Sequence, residues 1–93
     1  MDFKIRRTDD SIEEVSGEEV KLKGYKDFRF LIHKEESKEW CLRELTTGTN
    51  IASDRNKAEA KKLAREEIKD KTNGDKKLLI EAIAKYEIIN IEK

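Results

Sequence analysis

Histidine and cysteine, which supply nucleophiles, general bases and metal ligands, occur once each in this chain, as His33 and Cys41. Nucleophilic catalysis needs a base within reach of the nucleophile and usually a third group to orient it. Neither residue lies in a recognisable catalytic signature, and paired carboxylates such as Glu13-Glu14 are common in a chain this charged. One histidine and one cysteine also cannot supply a Cys/His zinc site. We therefore predict a protein that is not an enzyme and that has no metal or cofactor.

The charge of the chain balances, with 21 basic and 21 acidic residues among 93. A neutral chain lacks the global positive field that drives nonspecific binding to nucleic acid. The charge is segregated, however, because residues 9–19 hold six acidic residues and no basic one, whereas residues 54–77 hold nine basic and six acidic residues. Any binding to nucleic acid would therefore depend on a local basic patch. The role of the acidic segment stays open.

Length and composition limit the class of protein. A chain of 93 residues fits one domain, residues 1–93, with one modest core. The single cysteine excludes an internal disulfide, no apolar segment follows the first residues, and no stretch approaches the roughly 18 apolar residues of a membrane span. We expect a cytoplasmic protein that is neither exported nor embedded in a membrane. The absence of proline and the many Lys, Glu and Ile residues resemble proteins of AT-rich bacterial or phage genomes.

The hydrophobic pattern predicts an antiparallel meander. Apolar and polar residues alternate at 28–33 and 40–45, a short third strand is expected at 50–52, and polar turns separate the three. Phe3 and Ile5 alternate with basic residues and predict another short strand. Residues 12–17 show no such alternation and are predicted to form a loop or one helical turn.

Two helices should follow the meander. Asn56 and Glu59 have the spacing of a capping box at the start of a helix over 57–71, and Asp75 can cap a second helix over 76–87. Apolar residues surround most of the second helix, which predicts burial on more than one side. The tail 88–91 is expected to form a short strand or a docking segment. The predicted fold class is α+β, an antiparallel three-stranded meander packed on one or two C-terminal helices, with extra strands where 3–5 and 88–91 pair with the sheet.

The opening of the first helix, Asn56-Lys57-Ala58-Glu59-Ala60-Lys61, carries a family resemblance. Together with the meander, it makes the segment from Tyr25 to Lys71 resemble the β-β-β-α half of double-stranded-RNA-binding domains. The same order is seen in the arm-binding domains of some tyrosine recombinases and in small phage proteins. In the RNA-binding family the first lysines of this helix contact phosphates, which implies that role for Lys57 and Lys61. Here Asn56 replaces a serine cap and Ala58 replaces a lysine.

Two groups of residues are candidates for binding. A stripe with a spacing of four residues runs along the first helix and forms either a solvated face or a contact with phosphates or an acidic protein: Lys57, Lys61, Arg65 and Lys69. The sheet face opposite the helix would carry a mixed apolar and basic surface, unless the second helix covers it. Its candidate residues are Arg29, Leu31, His33 and Arg43.

Two functions remain open. The first is a protein-binding accessory factor of a phage or mobile element, which binds or inhibits a host protein or nucleoprotein as anti-CRISPR proteins do. The second is a nucleic-acid-binding domain that uses Lys57 and Lys61. An incompletely buried second helix also predicts an apolar patch for a homodimer, formed by Leu79, Ile80 and Ile83.

Overall fold

The computed structural model describes residues 1–90 and has an α+β fold, as predicted. One five-stranded antiparallel sheet has the strand order β1-β2-β3-β4-β5, so each strand pairs with its neighbour in sequence. Two helices follow the sheet. The elements are β1 (Asp2–Arg6), β2 (Ile12–Val20), β3 (Phe30–Lys34), β4 (Trp40–Glu44), β5 (Asn50–Asp54), α1 (Lys57–Thr72) and α2 (Lys76–Ala84).

Strand β2 corrects the prediction of a loop or helical turn at 12–17. Its first half pairs with β1 from Ile12 to Ser16, and its second half pairs with β3 from Gly17 to Val20. Gly17 lies at this change of partner, where a Cβ atom would approach the carbonyl oxygen of Ile32 to 2.6 Å. The strand therefore depends on tertiary pairing and on a close backbone contact that the hydrophobic pattern does not reveal.

The helix face of the sheet holds the larger cluster of buried side chains. Phe30 and Leu42 from the sheet pack with Ala64 and Ile68 of α1. The helix begins where the sequence predicts, because Asn56 Oδ1 accepts a hydrogen bond from the backbone N–H of Glu59 at 3.1 Å. Trp40, whose alternation with Leu42 predicts a place beneath α1, is only half-buried and lies outside this cluster.

The opposite face of the sheet is covered by the hairpin of β1 and β2. Phe3 and Ile5 from β1 bury Leu31 and Leu45 in a second cluster. Strand β1 also reaches the β4–β5 turn, where the backbone N–H of Arg6 donates to the carbonyl of Gly48 at 3.0 Å. Gly48 has a φ of 70°, and a Cβ atom there would lie 2.8 Å from the Cα of Ile5. A glycine is therefore required at this contact.

Helix α2 ends at Ala84, three residues before the predicted end, and it is less buried than its sequence predicts. Leu79 is its buried residue and Ile83 packs beside it, whereas Leu78 and Ile80 are exposed. A broad apolar circumference normally requires cover on several sides. Here the sheet and α1 cover only one side.

The tail docks without forming a strand. The backbone N–H groups of Ile89 and Asn90 donate to the carbonyl of Thr46 at 2.8 and 3.1 Å. The Asn90 amide side chain accepts from the N–H of Lys4 at 2.8 Å and donates to the carbonyl of Lys4 at 2.7 Å and to that of Leu45 at 2.6 Å. Residues 88–90 thus form the docking segment of the two predicted alternatives, and Ile91 lies outside the described residues.

Candidate binding surfaces

Lys57, the first residue of α1, is engaged within the protein. Its ammonium group contacts the carboxylate of Glu18 and lies 5.1 Å from the centroid of the Trp40 ring. The hydrogen bond from Lys57 lowers the pKa of the Glu18 carboxyl. Lys57 therefore connects the start of α1 to β2 and to Trp40.

The other three stripe residues line a depression between α1 and the chain that follows β2. The depression has two adjoining parts of about 460 and 320 Å³. We call it the basic groove, and its charged lining residues are Lys21, Lys23, Lys61, Lys62, Arg65, Glu66, Lys69 and Lys76. Seven of these eight are basic, although the chain as a whole is neutral, so the groove concentrates positive charge.

Most cations of the basic groove have no acidic partner. Among the described residues, no carboxylate lies within 4 Å of an ammonium or guanidinium nitrogen of Lys23, Lys62, Arg65, Lys69 or Lys76. Lys21 has an acidic partner at a longer distance, since its Nζ lies 3.7 Å from Glu19 Oε2. Lys21, Lys23 and Lys76 are absent from the sequence-based candidates because separate parts of the chain bring them to α1. The sequence signal for Lys21 and Lys23 is the Lys21-Leu22-Lys23 triplet, whose central leucine is buried.

Arg29, predicted as a residue of a binding face, forms a two-point contact with Glu19. Its Nε and Nη2 donate to the two carboxylate oxygens at 3.0 and 2.8 Å, and the bond from Arg29 lowers the pKa of the Glu19 carboxyl. Glu13 and Glu18 of the same acidic segment contact Arg7 and Lys57. Much of the acidic segment therefore serves as strand β2, paired with basic side chains around it.

Leu31, His33 and Arg43 are all buried beneath the β1–β2 hairpin. The Arg43 guanidinium donates from Nη1 to the carbonyls of Arg6 and Gly48, each at 3.0 Å, and from Nε to His33 Nε2 at 2.9 Å. The sheet face that carries these candidates is thus not a free surface in this structure. The hairpin covers it, rather than the second helix.

His33, Glu35 and Cys41 form the one cluster of metal-ligand types found within residues 1–90, with ligand atoms within 4.8 Å of one another. Arg43 donates to His33 Nε2, which places the proton of a neutral imidazole on Nδ1, so neither nitrogen offers a free lone pair. Arg7 donates from Nη1 and Nη2 to the two carboxylate oxygens of Glu35 at 2.5 and 3.2 Å. Burial raises the pKa of the Cys41 thiol. A cation would have to displace both arginines, so the cluster is better suited to a structural role.

The buried imidazole predicts a pH-dependent stability. Burial, and then the charge of Arg43, lower the pKa of His33 below its ordinary value of 6.5. Below pH 6.5 the imidazole of the unfolded chain binds a proton, whereas that of the folded chain stays neutral. The free energy of unfolding is therefore highest above pH 6.5 and falls as the pH drops toward the lower pKa of the folded state. We expect a slope of at most about 1.4 kcal/mol per pH unit below pH 6.5.

Urea unfolding at pH 7.5, 6.5 and 5.5 measures this slope. Carboxylates with lowered pKa values, such as Glu35, lose their contribution only below about pH 4.5. His33→Gln removes the titrating group and should flatten the slope over this range, whatever its effect on stability at pH 7.5. An equal slope in the variant would show that another group is responsible.

A second surface is formed by exposed apolar side chains near the end of the chain. Ile80, Tyr86 and Ile88 are 56%, 46% and 69% exposed, which is unusual for large apolar residues on neighbouring positions. They line a groove of about 560 Å³ between α2 and the turn before β3. We call this region the C-terminal apolar surface, and its apolar lining consists of Phe28, Ile80, Ile83, Ala84, Tyr86 and Ile88.

Comparisons of the chain with protein-family models, curated proteins and solved structures found no match. The resemblance to double-stranded-RNA-binding domains is therefore supported only by the order β3-β4-β5-α1, which the structure contains. None of the helices within residues 1–90 has the length and apolar composition needed to cross a bilayer. The fold and the two surfaces define a small α+β domain with a basic groove and a separate C-terminal apolar surface.

Proposed function

We propose that this chain is a non-catalytic binding protein that attaches to another protein through the C-terminal apolar surface. The observation that carries the proposal is the exposure of Ile80, Tyr86 and Ile88 along one groove. Removing a large apolar side chain from water contributes about 1.5–3 kcal/mol, so three such residues could supply the centre of a stable interface. Aromatic and aliphatic anchors of this kind, surrounded by polar groups, are typical of protein-binding sites.

Binding through the β1 edge of the sheet is less well supported. The outward backbone groups of Lys4 are hydrogen-bonded to the Asn90 side chain, and the N–H of Arg6 donates to Gly48. A partner strand would find those groups already satisfied. The apolar surface lies beyond this closed edge and needs no rearrangement to meet a partner.

The non-catalytic part of the proposal is supported by the state of the two reactive side chains. Burial raises the pKa of the Cys41 thiol, which is opposite to the shift that activates a cysteine nucleophile. His33 is buried against Arg43, and its pKa is lowered. Neither group is presented to a substrate.

The biological class that we propose is a small accessory factor of a phage or mobile element, acting in the cytoplasm on a host protein or nucleoprotein, as anti-CRISPR proteins do. The small size of the chain and its amino-acid composition, which lacks proline and resembles that of proteins from AT-rich genomes, support this class. A homodimer through the same surface is the alternative partner, with Ile80 and Ile83 at its centre, whereas Leu79 is already buried in cis.

Site-specific photo-cross-linking tests the proposal. A photoreactive amino acid is introduced at position 80 and, in a matched control, at position 12, because Ile12 is 50% exposed on β2 and lies outside the apolar groove. In the cells that produce the protein, position 80 should give a discrete protein adduct that position 12 does not. Mass spectrometry separates a second copy of this chain from another protein, and equal adduct patterns at both positions would overturn the proposal.

A further inference from the structure

We infer that the basic groove is a second binding site, whose ligand is the phosphate backbone of a nucleic acid. This inference is independent of the C-terminal apolar surface. Its basis is the convergence of seven basic side chains from α1, α2 and the segment after β2, with one acidic residue among them. Such local segregation in a chain of zero net charge creates a positive field that the whole molecule lacks.

The spacing of the helix wall suits a linear polyanion. Lys61, Arg65 and Lys69 follow one another at intervals of four residues on α1, so the row spans about 12 Å at 1.5 Å per residue. One strand of a duplex carries a phosphate about every 3.4 Å along its axis, so this row covers three to four phosphates. Lys21 and Lys23 form the facing wall, and together the two walls can contact a strand from both sides.

An ordinary solvated helix face would balance its cations with acidic residues three or four positions away. On α1, Glu66 has this spacing to Lys62 and Lys69, whereas Lys61 and Arg65 have no acidic residue three or four positions away. Among the nearby acidic residues of β2, Glu18 contacts Lys57, and Glu19 contacts Arg29 at 2.8 Å and, more distantly, the groove residue Lys21 at 3.7 Å. Most cations of the groove therefore remain available to an external anion.

The lining also indicates the mode of recognition. Lysine and arginine make most contacts to phosphates, and within residues 1–90 no asparagine, which reads adenine edges, lines the basic groove. We therefore expect binding that depends strongly on salt and differs little between sequences. The family resemblance implies a phosphate contact for Lys57, but Lys57 does not line the basic groove. The groove instead offers Lys61, Lys62 and Arg65 for contacts with phosphates.

The test is fluorescence anisotropy with a labelled 20-base-pair RNA duplex and two DNA duplexes of unrelated sequence, between 50 and 200 mM salt. Lys62→Glu with Arg65→Glu reverses two exposed groove cations, and Lys4→Glu with Lys38→Glu is a control with the same change of charge outside the groove. We expect the groove variant to bind at least about tenfold more weakly and with a salt slope lower by about two. The control should retain most of the binding, and thermal melts verify that all variants fold.

Three results would overturn the inference. The first is no salt-dependent binding of the wild type to RNA or DNA at 50 mM salt. The second is an equal loss of affinity in the groove variant and the control. The third is displacement of the duplex by polyglutamate at an equal concentration of charge, which would identify an acidic protein as the ligand.

Discussion

Arg43→Ala is expected to lower the free energy of unfolding by about 3–5 kcal/mol, as observed when one partner of a buried charged network is removed. The side chain is 6% exposed, and its guanidinium bonds the carbonyls of Arg6 and Gly48 as well as the ring of His33. Truncation removes this donor from the Arg6 carbonyl and from His33 Nε2, at about 1–3 kcal/mol each, and opens a cavity beneath the hairpin. The Gly48 carbonyl keeps the hydrogen bond from the N–H of Arg6. Urea unfolding at pH 7.5 measures the loss.

Arg29→Ala is the matched control. Arg29 forms a two-point contact with Glu19, but near the surface, where such pairs contribute at most about 1 kcal/mol. A loss for Arg43→Ala as small as that for Arg29→Ala would contradict the structural role of Arg43 and would return it to the candidates for binding.

Phe30→Ala is expected to have an effect of similar size, about 3–5 kcal/mol. The Phe30 side chain is fully buried between the sheet and α1, so its removal would leave a cavity among apolar side chains. A chain of 93 residues has a free energy of unfolding of roughly 5–14 kcal/mol, so this substitution should remove a large part of the stability and lower the melting temperature. Circular dichroism on heating measures it.

Trp40→Ala is the control for the core. The Trp40 ring is half-buried, and the ammonium groups of Lys34 and Lys57 lie 5.6 and 5.1 Å from its centroid. We expect a loss of about 1–2 kcal/mol, from partial exposure and two weak cation–π contacts. A loss equal to that of Phe30→Ala would place Trp40 in the core that the structure assigns to Phe30.

The sequence predicts those elements whose signals are local. The alternation of apolar residues around Phe30 and Leu42 predicts β3 and β4, because one face of each strand is buried against α1. Asn56 predicts the start of α1 within one residue, since the cap is a contact between residues three positions apart. These parts of the fold need no knowledge of distant partners.

Other parts depend on contacts between distant segments. Strand β2 is mostly exposed, so its side chains show little alternation, and its pairing follows from the close approach at Gly17. The alternation around Leu31 and His33 predicts a second sheet face, but it does not indicate that β1 covers that face. Because the β1–β2 hairpin covers this face, Leu31, His33 and Arg43 are buried and do not form the binding surface that the sequence predicts.

The candidate sites show the same division. A spacing of four residues predicts that Lys61, Arg65 and Lys69 share one face of α1, and the structure places all three in the basic groove. The facing wall could not be predicted, because Lys21 and Lys23 approach α1 only through the course of the chain after β2. The exposure of Ile80 likewise depends on how far α2 lies over the sheet, which periodicity does not determine.

The central claim, that the C-terminal apolar surface holds a partner protein, is tested most directly by the yield of cross-linked adduct from position 88. The photoreactive group is placed there in chains that also carry Ile80→Asp or, as a control, Ile12→Asp, both at residues at least half exposed. We predict an adduct yield at least about tenfold lower with Ile80→Asp than with Ile12→Asp, since burying an isoleucine contributes about 1.5–3 kcal/mol to the interface. The urea midpoints of the two chains should remain similar. Equal yields from the two folded chains would contradict the claim.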